Sequence, residues 1–366
     1  MRGRSVRLHR HTLLALAALV PVAGCGVDVG YVLSVAGGQI DILTHSVPIS
    51  EAIHSGTLSP DEVDKLRLLQ DARRFAREDI GLNTSDNYTL FYDTDGEPVA
   101  YNVSASVRWA FVAKRWTFPI VGTVPYLGYF DRDQAILKVR ELRQQGYDVF
   151  WYALDAYSTL DFLPNPVFSQ MLRRSDLSLI ETVLHELLHG TVWHSSNTTF
   201  NESLATFVGR TGAMDYLAAR YPDEPERVES ASQWYEDTDR YNAFLLDLYA
   251  ELDTFYTEPE SHGEKINGRE ALFQAGRDRF ADEVLPRMNR PENFEWAANL
   301  PTNNAWLLAN VRYNTDLDVF LRVHQAVGGD WAASLAVFRA AASASAPYGY
   351  LQAWLADNAD ADPDDG

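Results

Sequence analysis

The sequence predicts an α+β fold, with an antiparallel sheet in the N-terminal half packed on a largely helical C-terminal half. Two observations carry this. Residues 88–92, 99–103, 107–112 and 148–153 are β-rich runs, the first three separated by polar turns. From Ser175 to Trp354 the apolar positions recur mainly at helical spacing instead. Strands first and helices later is the order of an α+β chain and not of alternating βαβ units.

Each element has a local reason. Residues 1–24 read as an export signal: Arg2, Arg4, Arg7 and Arg10 give a basic start, followed by an apolar run at 12–20. That run is shorter than the ~20 residues a membrane-spanning helix needs. Val22, Ala23 and Gly24 then precede Cys25, an arrangement that resembles the bacterial lipobox, so Cys25 is the expected lipidation site. Residues 25–50 mix glycines with apolar residues and read as a tether and the start of the domain. Ser59, Pro60, Asp61 and Glu62 supply an N-cap, an N1 proline and acidic first-turn residues. Val63, Leu66, Leu69 and Ala72 carry that helix to a stop at Gly81. Asp131 caps a second helix, which closes at Gly146. One domain is expected over 51–355, and 356–366 should be a frayed acidic tail.

Composition removes several function classes. Cys25 is the single cysteine, so a disulfide framework, a thiol nucleophile and a Cys-rich zinc site are excluded once it is acylated. Any metal must then sit on His, Asp or Glu. The formal net charge of −20 becomes −24 without the four signal arginines. Such a surface repels nucleic acid and anionic headgroups, so the membrane link should be the lipid and no nucleic-acid partner is expected.

His185-Glu186-Leu187-Leu188-His189 is an H-E-x-x-H motif on an amphipathic helix that Ser175 or Asp176 can cap. Residues four apart share a helical face, with Cβ atoms ~5–6 Å apart, so both imidazoles can reach one zinc ion. Glu186 lies beside the metal without ligating it, where a carboxylate can take a proton from water. Residues 190–201 make a turn after Gly190, Asn201 can cap the next helix, and Glu202 would open that helix facing the histidines. Two His and one Glu leave a fourth position for water, as in a catalytic site. His194 is a competing ligand, but a metzincin register would need Gly at Val192 and His at Ser195. It reads as a loop histidine. As purely structural residues, the two histidines would be a chance pair and Glu202 a first-turn acid.

His185–His189 followed by Asn201-Glu202-Ser203-Leu204-Ala205 resembles the gluzincin metallopeptidases, especially the aminopeptidase N-like enzymes, although the spacer is shorter here. The chain is more similar to a bacterial family of predicted aminopeptidases carried by lipoproteins. The lipobox, Trp116–Pro119 with Val121 and Gly122, Gly128–Asp131, Ala156–Leu160, Phe200–Ser203, Asn303–Ala305 and Gly329–Trp331 carry that resemblance. It implies gluzincin-like active-site helices and one zinc per chain. It also implies substrate backbone binding at Tyr157, Ser158 and Thr159 by strand addition. A buried sheet strand is the plain alternative for that segment. The related aminopeptidases keep a glutamate there to hold a free amine; here Asp155 and Asp161 only flank it. An oxyanion donor is also needed, and Tyr313, with Asn304 as a substrate contact, is the candidate in the matching stretch.

Two functions from different classes follow. One is a zinc-dependent metallopeptidase at the cell envelope, acting on peptides or proteins. The other is a metal-stabilised envelope lipoprotein that binds partners and cleaves nothing. Glu186 favours the enzyme, because a structural site needs no base.

Overall fold

The computed structural model describes residues 29–118, 122–155, 165–311 and 317–358. The signal segment, Cys25, Tyr157, Ser158, Thr159, Tyr313 and the tail from 359 lie outside them. The architecture is α+β, as the sequence predicts.

Helix α1 (Val29–His45) occupies most of the stretch that the sequence marks as a tether. Its Tyr31 ring packs edge-on against Tyr129. Gly38 permits the close approach, since a Cβ there would sit 2.3 Å from the Phe130 ring. Strand β1 (Val47–Pro48) and helix α2 (Ile49–His54) lead to α3 (Pro60–Phe75). Ser59 closes a capping box with Glu62: Ser59 N donates to Glu62 Oε2 at 2.8 Å and Glu62 N to Ser59 Oγ at 3.3 Å. Leu66, Leu69, Ala72 and Phe75 form its buried stripe. One π-helical turn (Ala76–Ile80) extends it to Gly81, whose φ of +88° is the left-handed conformation that glycine adopts without strain.

Two sheets and a hairpin follow. Strand β2 (Leu90–Tyr92) pairs antiparallel with β1 and parallel with β8 (Val167–Phe168), so the sheet structure is not antiparallel throughout. Strand β3 (Ala100–Ser106) is central in the second sheet, flanked antiparallel by β6 (Tyr126–Tyr129) and β7 (Asp148–Leu154). Strands β4 (Trp116–Phe118) and β5 (Gly122–Val124) form the hairpin. Helix α4 (Arg132–Gln144), capped by Asp131, covers the β3 sheet with Ala135, Val139 and Leu142.

Residues 107–112, expected to be a strand, form a turn instead. Ser106 Oγ lies 3.2 and 3.1 Å from the carbonyls of Val107 and Val112, Asn304 Nδ2 donates to Val107 O, and Arg269 Nη1 donates to Arg108 O. Side chains take the carbonyls that a neighbouring strand would otherwise have paired.

The helical half contains α5 (Asp176–His189), α6 (Thr198–Arg220), α7 (Pro225–Thr257), α8 (His262–Arg279), α9 (Asn304–Val311), α10 (Leu317–Ala326), α11 (Trp331–Ser343) and α12 (Pro347–Asp357). The main core joins α3, α5, α6 and α10–α12 through residues such as Leu69, Leu184, Leu188, Phe200, Phe320 and Phe338. A second core lies among α7, α8 and α9, around Leu248, Phe273 and Leu307.

Candidate metal centre

Helix α5 begins where Ser175 Oγ accepts from Ser178 N at 3.2 Å. Its apolar positions Leu179, Ile180, Val183, Leu184, Leu187 and Leu188 are buried, which turns the opposite stripe toward the site. His185 and His189 stand one turn apart on that stripe, ring centroids 4.9 Å apart and nearly perpendicular at 86°.

The third group comes from α6. The expected cap, Asn201, lies inside the helix; Asn197 is the cap, its side chain accepting from Phe200 N at 3.0 Å. Asn201 clamps the connecting loop, accepting from His194 N at 2.8 Å and donating to His194 O at 2.9 Å. Glu202 is thus one turn deeper than the sequence suggested, yet it still faces the histidines. Gly209 and Gly212 make this possible. A Cβ on Gly209 would meet Glu181 O at 3.0 Å, and one on Gly212 would meet Leu184 at 2.9 Å. The glycines let α6 lie close against α5.

Glu202 Oε2 is 3.3 Å from His185 Nε2 and 3.6 Å from His189 Nε2. Ligand atoms of all three lie within 4.8 Å of one another, a group that could hold a metal ion. Burial pushes the Glu202 carboxyl up, but the facing His189 and His185 outweigh it and hold the group well below the usual carboxylate range. Burial also pushes His189 down, and the Glu202 and Glu186 carboxylates more than reverse that. His189 Nδ1 is buried without a hydrogen-bond partner, and its Nε2 is the atom that faces Glu202. The donor set fits a divalent cation: two imidazole nitrogens and a carboxylate converge, and neither a lysine nor an arginine is among them.

Other residues border the cluster. Glu186, half-buried, lies on the same helix between the two histidines. Arg174 runs along the same face. Its Nε donates to Asp155 Oδ2 at 2.7 Å, and its Nη1 donates to the Thr182 hydroxyl one turn before Glu186. This ties the end of β7 to α5 and commits Asp155 to a guanidinium. Glu181, one turn before His185, is raised by its burial, which outweighs Arg210, His185 and Tyr235 around it. Tyr88 is held with a φ of +59°, and its buried hydroxyl has no partner. Burial, with the Glu186 carboxylate adding to it, pushes that hydroxyl far up.

The sequence reading of His194 as a loop residue outside the ligand set agrees with its contacts. Its Nδ1 accepts from Ser196 N at 3.2 Å, so Nε2 is the donor to Ala344 O at 3.0 Å. Asn304 sits differently from the substrate contact expected of it. It is fully buried beside the second core, where its Oδ1 accepts from the Tyr256 hydroxyl and its Nδ2 donates to Val107 O. Its backbone N–H donates to Asp148 Oδ2. Those groups are occupied by the protein itself.

Arg174, Glu181, Tyr88 and the glycine pair escaped sequence reasoning because only tertiary packing brings them to the site. Trp193 had a signal, its i+4 spacing from His189. Its ring stands edge-on to His189 at 5.6 Å and 81°.

No curated protein and no solved structure matches this chain. Residues 30–347 match the family described as "putative aminopeptidase", and the chain belongs to that family.

Proposed function

We propose that the protein is a zinc-dependent metallopeptidase that hydrolyses peptide bonds in peptides or proteins, with Glu186 as general base. The observation that carries this reading is the convergence of His185, His189 and Glu202 beside a carboxylate outside the ligand set. Imidazole and carboxylate ligands suit zinc, which when bound polarises a carbonyl and acidifies water.

The chain's own residues do the rest. Glu186 takes the proton of the attacking water and delivers it to the leaving amine nitrogen. Glu202, kept ionised by the imidazoles, closes the ligand set from the second helix. The Arg174–Asp155 pair fixes the ligand helix against the sheet, so the base and ligands keep their mutual placement.

Replacing Glu186 by Gln tests the assignment. An amide cannot accept the proton, so peptide hydrolysis should fall on the order of 10²-fold or more with the metal retained. Hydrolysis at the wild-type rate would remove Glu186 from the mechanism. Retained zinc with no cleavage by either protein would favour the non-catalytic lipoprotein.

The same reading places the protein at the bacterial cell envelope, anchored by lipid on Cys25. Among the described residues no helix is long and apolar enough to cross a membrane. Cys25→Ala should move the folded protein from the membrane fraction to the soluble one. A variant that still sediments with membranes after a salt wash would contradict the anchor.

A further inference from the structure

The loop joining the two ligand helices is fixed on both sides of one residue. On the near side, Val192 N donates to Leu188 O at 2.8 Å, and Thr191 Oγ1 donates to Leu187 O at 2.8 Å while accepting from Asn83 N. On the far side, the Asn201 clamp holds both backbone groups of His194, whose ring is anchored on Ala344 O. Val192 and His194 are buried. Trp193 between them is 38 % exposed, with its ring edge-on to that of His189. The backbone is locked, and the indole is presented to solvent beside a metal ligand.

Resting on the zinc-peptidase reading, we infer that Trp193 is an apolar wall of the substrate site that selects a bulky apolar side chain next to the scissile bond. A peptide whose carbonyl reaches the ligand cluster brings a neighbouring side chain within reach of the indole. A large apolar side chain covers ring surface that otherwise stays in water. An acidic one loses hydration against a negative ring face that offers it no hydrogen bond. The wall is already ordered, so little conformational freedom is lost when it is covered. Trp193 acts here as a specificity residue, taking no part in proton transfer.

The test is a peptide library cleaved by wild type, Trp193→Ala and Trp193→Phe, with cut sites read by mass spectrometry. Wild type should place an aromatic or branched aliphatic residue beside the cut bond. The ratio of kcat/KM between phenylalanine and glycine peptides should shrink about 10-fold or more in Trp193→Ala. Trp193→Phe should keep most of that ratio. The same peptides titrated calorimetrically into Glu186→Gln and into the Glu186→Gln, Trp193→Ala double variant read the wall without turnover. Equal weakening on all peptides, or an unchanged preference, overturns the assignment. Absence of both zinc and cleavage in wild type would overturn the zinc reading instead, and calorimetry would still decide Trp193.

Discussion

Two clusters of buried polar groups divide the work in this molecule. Around Asp148, the carboxylate receives both terminal nitrogens of Arg269, at 2.6 and 3.1 Å, and the backbone N–H of Asn304 at 2.8 Å. Asn304 in turn receives the Tyr256 hydroxyl. That cluster is closed: its carboxylate has a buried cation, and it fastens the turn at 107–112 and β7 to α8 and α9. Around Glu202, the carboxylate faces the Nε2 atoms of two imidazoles, and neither a lysine nor an arginine is among the converging groups. That cluster is open: its three ligand atoms converge as a group that could hold a metal ion. A matched buried charge holds architecture together. Imidazoles and a carboxylate that converge without lysine or arginine are a donor set a divalent cation can fill.

The sharpest way to break this contrast is to open the closed cluster. Arg269→Ala would leave Asp148 buried and unpaired, and stability should fall by about 3–5 kcal/mol in denaturant melts. Adding Asp148→Asn should recover part of the loss, because the uncompensated charge goes with it. A single variant as stable as wild type would mean that the pair does not hold the sheet to the helices.

A smaller effect is expected at the open cluster. Zinc bound only by the folded state stabilises by about 2.7 kcal/mol at a hundred times its Kd. Chelation should therefore lower the melting temperature of wild type and leave a His185→Ala, His189→Ala variant unmoved. Equal shifts in both would place the stabilising metal elsewhere.

Legibility in the sequence followed the range of the interactions. The two histidines and Glu186 could be read because their geometry is set within one helical turn. Ser59 and Asp131 were readable as caps for the same reason, and Ser175 as one of two candidates beside Asp176. Asn197 and Asn201 lie four residues apart and have the same side chain, so composition could not tell the cap from the loop clamp. The run at 107–112 has strand chemistry, but Asn304 and Arg269, more than 150 residues away, fold it into a turn. Residues 29–45 read as a tether because of their glycines, while Gly38 serves as a contact surface for Phe130. Gly209 and Gly212 carry no motif, yet they set how closely Glu202 approaches the histidines.

The most direct measurement is the metal content of the purified protein. Elemental analysis should find one zinc per chain in wild type and essentially none in the His185→Ala, His189→Ala variant, with the fold checked by circular dichroism. Full zinc retention in that double variant would contradict the assignment of His185, His189 and Glu202 as the metal centre.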